Sequence, residues 1–308
     1  MILLPMAPPQ ETAFVPVEAR FPDPSLAVVR ISGLRLLVDS GCPQTLVRSD
    51  KIGRDGTLAL PGGAVRLRPL RLPPKELERP AKHLQADGIL GNDALRRLAV
   101  LIDYQRQTVF MAPTRRASLA SALASAEIRR GRTSEVELKP DGEGWYRAAA
   151  VGGDDETGAV WDTGASSYAF EGTRDELGPR LGYVDVQGFD ADSRRPIHLA
   201  RVELPGAEPV PVLGFRRPPG DEPATIGPYA LTREWSYLDL GRGLASVPRP
   251  DAAEAARRTL ASLLRVSELP RRVLDRPLAE TVEAIADVAD ENGLERARRT
   301  ALRIVRTR

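Results

Sequence analysis

Two short motifs carry the residues in this chain that are best suited to acid–base chemistry. Asp39-Ser-Gly follows the apolar segment 34–38, and Asp162-Thr-Gly follows the apolar segment 158–161. Glycine at the third position permits a tight backbone turn, and the hydroxyl group at the second position can hydrogen-bond to nearby backbone. One such tripeptide is common in turns, but two copies at matched places predict carboxyl groups that act as a pair.

A pair of facing aspartates has definite chemistry. Two carboxylates about 3 Å apart repel each other by roughly 5 kcal/mol at an effective dielectric constant of about 20. They therefore share one proton over a wide pH range, and their titrations belong to the pair. The ionised member can take a proton from a water that attacks a carbonyl carbon, and the protonated member can stabilise the developing oxygen and later protonate the leaving amine.

Other catalytic chemistries have little support in the composition. Cys42 is the only cysteine, so no intrachain disulfide and no cysteine-based metal cluster can form, and His83 and His198 are the only histidines. Neither histidine lies in a recognisable nucleophile context, and we predict no metal and no cofactor. The 44 basic and 42 acidic residues leave a net charge of +2, which predicts no nucleic-acid partner.

The surroundings of the two aspartates repeat along the chain. Each motif is preceded by a strand, a turn and a second, apolar strand: residues 26–33 and 34–38 in the first half, 145–151 and 158–161 in the second. Farther along each half, an apolar segment ends in glycine before a short predicted helix. The residues of these segments are Ile89, Leu90 and Gly91 in the first half, and Thr225, Ile226 and Gly227 in the second.

The spacing of the later landmarks is also preserved. Gly91 precedes Asp103 by 12 positions, and Gly227 precedes Asp239 by 12 positions. We interpret Asp103 and Asp239 as turn residues at strand ends. The interval from the catalytic-type aspartate to the glycine differs, at 52 and 65 positions, but surface loops tolerate insertions because closure entropy rises slowly with length. The sequence therefore predicts an internal duplication.

These motifs resemble those of the aspartic peptidases of the pepsin and retropepsin kind, in a single-chain, bilobed form of bacterial type. The segment 162–167, Asp-Thr-Gly-Ala-Ser-Ser, is similar to the active-site motif of the family, and Asp39-Ser-Gly matches its core. The resemblance implies that Asp39 and Asp162 are the catalytic pair and that Ser40 and Thr163 interlock the two loops. It further implies loop-supporting roles for two sets of residues: Gly41, Gly164, Ala165 and Ser166 within the loops, and Ile89, Leu90, Gly91, Thr225, Ile226 and Gly227 beside them.

The same resemblance implies a mainly β fold with two similar β-barrel lobes and a substrate cleft between them. We predict a first lobe over residues 1–116, a connector over 117–133 that is helical or flexible, and a second lobe over 134–250. Leucines at helical spacing after Pro250 predict a C-terminal α-helical extension over 251–308. A single chain supplies both aspartates, so the site does not require a dimer.

The chain departs from the family pattern in two places. Cys42-Pro43 stands where the family usually has small or hydroxyl residues, and no Tyr or Trp lies between Asp39 and Gly91 to serve as the flap tyrosine. Residues 57–67 are the best candidate for a flap, as two short strands around a Pro-Gly-Gly turn. We interpret Cys42 as a small buried filler rather than a redox group.

The predicted function is that of an aspartic endopeptidase acting on peptide or protein substrates. One alternative is an inactive descendant of the fold that binds peptides or proteins. A second alternative comes from the actin-like and sugar-kinase-like ATPases, which also place two Asp-x-Gly turns in a duplicated fold. Those folds alternate strands and helices, whereas this chain reads mostly as short strands and Pro-rich turns.

The sequence also bears on location. The apolar run at residues 1–6 is too short for a signal-peptide core, and no stretch approaches the 18 apolar residues of a membrane span. We therefore expect a cytoplasmic protein with no membrane partner.

Overall fold

The computed structural model describes residues 14–53, 56–61, 66–78, 80–148, 158–165, 170–172, 180–187, 192–207, 210–216 and 224–249. Within these ranges the chain is mainly β, as the sequence predicts. The strands of the first half are β1 (Val15–Val17), β2 (Ala19–Asp23), β3 (Leu26–Ile31), β4 (Leu34–Val38), β5 (Leu46–Arg48), β6 (Leu58–Ala59), β7 (Arg66–Leu67), β8 (Leu70–Leu72), β9 (Gly88–Leu90), β10 (Leu98–Asp103) and β11 (Thr108–Pro113).

The second half of the chain also consists mainly of strands. Its strands are β12 (Thr133–Pro140), β13 (Tyr146–Ala148), β14 (Ala159–Trp161), β15 (Phe170–Gly172), β16 (Arg180–Gln187), β17 (Asp192–Val202), β18 (Val210–Arg216), β19 (Thr225–Ile226), β20 (Trp235–Asp239) and β21 (Leu244–Pro248). Helices are short: α1 (Asn92–Leu95), α2 (Leu119–Ser125), α3 (Pro228–Leu231), two 3-10 turns (Pro74–Leu77 and Thr114–Arg116) and a π-type turn (Pro80–Leu84).

Strand pairing repeats between the halves. In the first half β4 runs parallel to β9, and Val38 pairs with Leu90; in the second half β14 runs parallel to β19, and Trp161 pairs with Ile226. Strand β5 lies antiparallel to β9 and parallel to β8, and β15 lies antiparallel to β19 and parallel to β18. Each parallel pair thus places the end of an apolar strand beside an apolar segment that ends in glycine.

The halves meet in a run of six antiparallel strands in the order β1-β11-β10-β20-β21-β12. At its centre, Ala99 pairs with Asp239 and Asp103 pairs with Trp235, with Leu101 opposite Tyr237 between them. Residues 99, 101 and 103 are each 136 positions before 235, 237 and 239. The pairing is therefore symmetric about the Leu101–Tyr237 pair, as a two-fold relation between the halves requires.

One apolar core extends through both halves. It includes Leu36 and Val38 of β4, Leu90 of β9, Trp161 of β14 and Ile226 of β19, all of them fully buried. The hairpin of β6 and β7 and the central strands contribute to the same cluster. Removal of these side chains from water is the main source of folding free energy for this arrangement.

The predicted barrels are not seen in the described residues, where none of the sheets closes on itself. The sheet β2-β3-β4-β9-β5-β8 ends in β2 and β8, which pair with other strands but not with each other, and the 13-stranded sheet runs from β1 to β16. The core is instead enclosed by packing of one sheet against another, which covers apolar side chains without a continuous ring of backbone hydrogen bonds.

The predicted connector contains a helix. Ser118 accepts a hydrogen bond from the Ser121 N–H at 3.1 Å as the N-cap of α2, and Ala122 and Leu123 pack into a cluster with β10 and β20. The predicted extension, residues 251–308, lies outside the described residues. In the described ranges, no helix has both the length and the apolar character needed to cross a membrane.

Candidate functional site

The first aspartate turn begins where β4 ends. The Asp39 N–H donates to the Leu90 carbonyl oxygen at 3.2 Å, which extends the parallel pairing of β4 and β9 by one step. The Gly41 N–H donates to Asp39 Oδ1 at 2.8 Å, and the Cys42 N–H donates to the Asp39 carbonyl oxygen at 3.3 Å. The turn therefore folds back on its own aspartate and holds the carboxyl group in place.

The second turn repeats these contacts one for one. The Asp162 N–H donates to the Ile226 carbonyl oxygen at 2.9 Å, the Gly164 N–H donates to Asp162 Oδ1 at 2.8 Å, and the Ala165 N–H donates to the Asp162 carbonyl oxygen at 3.4 Å. Two turns of the same geometry thus present their carboxyl groups from the two halves. Ser166, which the resemblance also assigns to this loop, lies outside the described residues.

Four hydrogen bonds between Ser40 and Thr163 and the strand ends lock the turns together. The Ser40 N–H donates to Thr163 Oγ1 at 3.1 Å, and the Thr163 N–H donates to Ser40 Oγ at 3.0 Å. Each hydroxyl also donates to a carbonyl of the opposite half, Ser40 to Trp161 at 2.6 Å and Thr163 to Val38 at 3.0 Å. Ser40 is 0% exposed and Thr163 is 1% exposed, so water cannot replace these bonds.

Each glycine lies against the carboxyl group of the other turn. A Cβ atom built on Gly41 would lie 2.5 Å from Asp162 Cγ, and one built on Gly164 would lie 2.4 Å from Asp39 Cγ. Only a residue without a side chain fits at either position. This reciprocal packing brings the two acids face to face, and the Asp39 side chain hydrogen-bonds to that of Asp162.

The environment of Asp39 favours its protonated form. Burial of the carboxyl group is the main cause and raises the pKa of Asp39, while the Asp162 side chain and the N–H groups of Gly41 and Cys42 lower it in part. A hydrogen bond between two carboxyl groups needs one proton. The arrangement can therefore hold an ionised and a protonated oxygen side by side.

The apolar segments beside the turns have the same place in both halves. Ile89 and Leu90 belong to β9, Thr225 and Ile226 form β19, and Gly91 and Gly227 follow them directly. All four strand residues are buried, including Thr225, which departs from the apolar type. A Cβ atom on Gly91 would lie 2.4 Å from the Gln44 carbonyl oxygen, so this glycine allows the loop after Asp39 to pack against α1.

Asp93 supports the first turn from α1. Its Oδ1 accepts hydrogen bonds from the N–H of Thr45 at 2.8 Å, from the Thr45 hydroxyl at 2.6 Å and from the Ala94 N–H at 2.8 Å. Thr45 Oγ1 in turn accepts from the Gly91 N–H at 3.1 Å. One carboxyl group thus contacts the start of α1 and anchors the loop that follows the dyad.

Asp103 and Asp239 end their strands as predicted. Asp103 Oδ1 accepts from the N–H groups of Gln105 at 3.0 Å and Arg106 at 2.9 Å, which closes the turn after β10. Asp239 Oδ1 accepts from the Arg242 N–H at 3.2 Å after β20. Neither carboxyl group belongs to the dyad.

The flap candidate has its two predicted strands. Leu58 pairs with Leu67 and Ala59 pairs with Arg66, so β6 and β7 form a hairpin whose turn, residues 62–65, lies outside the described residues. Ser32 holds the hairpin to the β3–β4 turn, because its Oγ accepts from the Ala59 N–H at 2.9 Å. Leu58 is fully buried, so the base of the hairpin is fixed to the core.

Cys42 is half-buried beside the dyad. Its Sγ donates to the Gln44 carbonyl oxygen at 3.1 Å. Burial, followed by the negative charge of Asp39, raises the pKa of the Cys42 thiol to about 12. The thiol is therefore neutral at physiological pH and is not an activated nucleophile. Elsewhere in the described ranges, no group of three or more His, Cys, Asp or Glu side chains is arranged to hold a metal ion.

Two residues at the site were missed by the sequence analysis. Trp145 Nε1 donates to the Gly41 carbonyl oxygen at 3.1 Å, and Asn92 Nδ2 donates to the carbonyl oxygens of Ser40 and Gly144, each at 3.0 Å. The one available signal was a break in the duplication: Asn92 follows Gly91, whereas Pro228 follows Gly227.

No family model matches the chain, and no curated protein matches it significantly.

Proposed function

We propose that the chain is an aspartic endopeptidase that hydrolyses peptide bonds with a water activated between Asp39 and Asp162. The observation that carries this proposal is the reciprocal packing of the two turns, in which Gly41 lies against Asp162 and Gly164 lies against Asp39. The paired hydroxyl groups of Ser40 and Thr163 give further support, because their fully buried hydrogen bonds fix the separation of the acids.

The proposed reaction uses the two carboxyl groups in different states. The ionised carboxylate takes a proton from the bridging water, and the oxygen of that water attacks the carbonyl carbon of the scissile bond. The protonated carboxyl group donates a hydrogen bond to the carbonyl oxygen as negative charge develops there. A proton then passes to the leaving amine, and the C–N bond breaks. Proton sharing of this kind is an established property of aspartic-peptidase dyads.

The proposal includes a two-lobed arrangement. In it, the first lobe is built around β4 and β9, the second around β14 and β19, and the central six strands join them. The substrate lies over the dyad, and the β6–β7 hairpin covers it with aliphatic side chains in place of a flap tyrosine. The C-terminal helical extension and a cytoplasmic location complete the proposal; the single cysteine of the chain is compatible with a reducing compartment.

Cleavage of a broad peptide library between pH 3 and 8 tests the proposed reaction. We expect the wild-type chain to cleave peptides, and Asp39→Asn and Asp162→Asn each to lose at least about 1000-fold in kcat/KM, because either change removes a reacting group. Asp50→Asn is the matched control, since Asp50 lies on the surface and pairs with Arg48. If the wild-type chain and both dyad variants all fail to cleave the peptides, the proposed endopeptidase activity is refuted.

The alternative of an inactive peptide-binding protein predicts a different outcome of the same experiment. In that case the wild-type chain would bind library peptides without cleaving them, and Asp39→Asn would bind them equally well. Detectable ATP binding by calorimetry would instead favour the ATPase alternative.

A further inference from the structure

Two side chains hold the backbone of the first aspartate turn from behind. Asn92, the first residue of α1, donates from Nδ2 to the Ser40 carbonyl oxygen at 3.0 Å, and Trp145 donates from Nε1 to the Gly41 carbonyl oxygen at 3.1 Å. Asn92 is 2% exposed, so its bonds are shielded from water.

These two carbonyl groups belong to the peptide units that face Asp39. The Ser40 carbonyl group shares a planar peptide unit with the Gly41 N–H, which donates to Asp39 Oδ1 at 2.8 Å. The Gly41 carbonyl group shares a peptide unit with the Cys42 N–H, which donates to the Asp39 carbonyl oxygen at 3.3 Å and so closes the turn around the carboxyl group. Because each peptide unit is rigid, a donor that fixes its carbonyl oxygen also fixes the direction of its N–H group.

A hydrogen bond to the carbonyl oxygen has a second effect. It polarises the peptide unit, so that the N–H on the opposite side becomes a stronger donor. The Gly41 N–H points at the carboxyl group and stabilises its ionised form, and the Cys42 N–H closes the turn around it. The donors behind the turn therefore act on Asp39 without touching it.

The hairpin that carries Trp145 is rigid. Asp141 Oδ1 accepts from the N–H groups of Glu143 at 3.0 Å and Trp145 at 2.9 Å, and its Oδ2 accepts from Arg147 Nε at 2.9 Å. Gly144 has a φ of +91°, which lets the turn present its carbonyl oxygen to Asn92. The second half thus braces the catalytic turn of the first half through a fixed hairpin.

At the position that matches Asn92, the second half has no amide side chain. Pro228 lies 136 positions after Asn92 and takes its place in the repeat, directly after Gly227. A proline side chain has no hydrogen-bond donor. Among the residues that the structure describes, the two turns therefore differ in this support, although they have the same internal geometry.

We propose that Asn92 and Trp145 are positioning residues that fix the Ser40–Gly41 and Gly41–Cys42 peptide units of the turn around the Asp39 carboxyl group and thereby distinguish Asp39 from Asp162. For catalysis this assignment rests on the proposed function. Its structural part concerns the ionisation of the dyad and holds with or without peptide cleavage.

The other titratable groups around Asp39 have defined partners. Asp162 faces it from the end of β14, and Cys42 lies in its own turn with a neutral thiol. From α1, Asp93 is engaged by Thr45, and from the β12–β13 hairpin, Asp141 is engaged by Arg147. None of these groups changes when Asn92 or Trp145 is replaced by an apolar residue.

Titration of the dyad by NMR tests the assignment directly. With ¹³C-labelled aspartate, Asp39 is identified by the signal that Asp39→Asn removes, and the wild-type chain is compared with Trp145→Phe and Asn92→Leu. We expect each variant to raise the apparent pKa of the dyad by about 0.5 to 1 pH unit, because a donor to the ionised form is weakened. Trp235→Phe, the same chemical change in β20, is the control and leaves the titration unchanged.

A pH profile of kcat/KM extends the test to catalysis. We expect the acid limb to move upward by the same amount in Trp145→Phe and Asn92→Leu, with KM little changed. An unchanged dyad titration in folded variants overturns the positioning role, even if activity falls. Absence of cleavage by the wild-type chain overturns the proposed function instead, and leaves the titration result to stand by itself.

Discussion

At each aspartate turn, a glycine of the other turn lies against the carboxyl group. The closest approach is 2.5 Å between a Cβ position at Gly41 and Asp162 Cγ, and 2.4 Å between one at Gly164 and Asp39 Cγ. Real Cβ atoms do not come so close to a carboxyl carbon, so any side chain at these positions pushes the acids apart. The requirement is steric, and it applies although neither residue has an unusual backbone conformation.

Gly41→Ala therefore separates Asp162 from Asp39 with a single methyl group. We expect kcat/KM to fall by about 100-fold or more, because displacement of reacting groups by about 1 Å has effects of this size. Gly142→Ala is the matched control, since a Cβ there has no atom within 4 Å. Peptide cleavage by both variants, with circular dichroism to check folding, gives the comparison. Equal activity of the two variants would contradict the packing described here.

Asp39→Asn should affect stability with a characteristic pH dependence. Burial raises the pKa of Asp39 in the folded chain above its ordinary value of 3.8. Between these two values the folded chain binds more protons than the unfolded chain, so wild-type stability falls as pH rises through the window. Asparagine does not titrate, and we expect the variant to gain stability relative to the wild type from acid to neutral pH. Urea unfolding at several pH values measures the difference.

Asp87→Asn should change stability with pH in the opposite direction, and it serves as the control for Asp39→Asn. Burial alone would raise the pKa of Asp87, but hydrogen bonds and the positive charge of Arg35 outweigh burial and lower the pKa. The ionised side chain therefore stabilises the wild type above pH 3.8, and this contribution is lost as pH falls through the folded-state value. The variant should lose stability relative to the wild type as pH rises. If the stability of both variants relative to the wild type changed in the same direction with pH, burial would be ruled out as the cause of the raised pKa of Asp39.

The ends of β4 and β14 are joined through Ser40 and Thr163. Each hydroxyl accepts a hydrogen bond from one N–H group and donates one to a carbonyl oxygen of the opposite strand end. The single proton of each hydroxyl is therefore already used. Because the bonds are buried, loss of one hydroxyl leaves polar groups of both strand ends without a partner.

Thr163→Val tests this junction with little change in shape. The variant leaves the Ser40 N–H and the Val38 carbonyl oxygen buried and unpaired, and we expect a loss of about 2–4 kcal/mol in the free energy of unfolding. Thr163→Ser keeps the hydroxyl and should lose about 1 kcal/mol for the missing methyl group. Urea unfolding of both variants gives the two values. A serine variant as unstable as the valine variant would show that packing of the methyl group, and not the hydroxyl, holds the strand ends.

The elements around the dyad follow from local sequence to a large extent. Predicted strands at 26–33 and 34–38 correspond to β3 and β4, and the predicted segment 158–161 contains β14. Alternating or continuous apolar residues that end in Asp-Ser/Thr-Gly are sufficient for this prediction. The hydroxyl interlock came only from the resemblance, because no pattern within either motif specifies which strand end it will meet.

The hydrogen bonds from Asn92 and Trp145 to the first aspartate turn could not be predicted from the sequence. Trp145 and Gly41 are separated by 104 positions, and Asn92 and Ser40 by 52. Their contacts depend on how the β12–β13 hairpin packs against the other half, which no local pattern encodes. Trp145 was therefore assigned only to the start of a strand. Closed barrels are likewise not seen in the described residues, and periodicity alone does not predict them, since it indicates which face of a strand is buried but not how a sheet ends.

The two halves of the chain share both a hydrophobic core and a sheet. The hydrophobic cluster runs from β4 of the first half to β21 of the second, and β10 pairs with β20 over five residues at the centre. Separation of the halves would expose the edges of both central strands together with buried side chains such as Leu101 and Tyr237. The halves therefore cannot open independently without a large loss of buried apolar area.

Leu101→Ala tests this coupling, because Leu101 lies at the centre of the β10–β20 pairing and is 0% exposed. We expect the free energy of unfolding to fall by about 2–5 kcal/mol. We expect hydrogen exchange to report the same loss for the amides of β4 in the first half and of β14 in the second. Leu70→Ala, at a side chain that is 49% exposed, is the control and should change neither value. A loss of protection confined to one half would show two independently folding units. Equal losses in both halves would mean that the aspartates are held together by the stability of the entire chain.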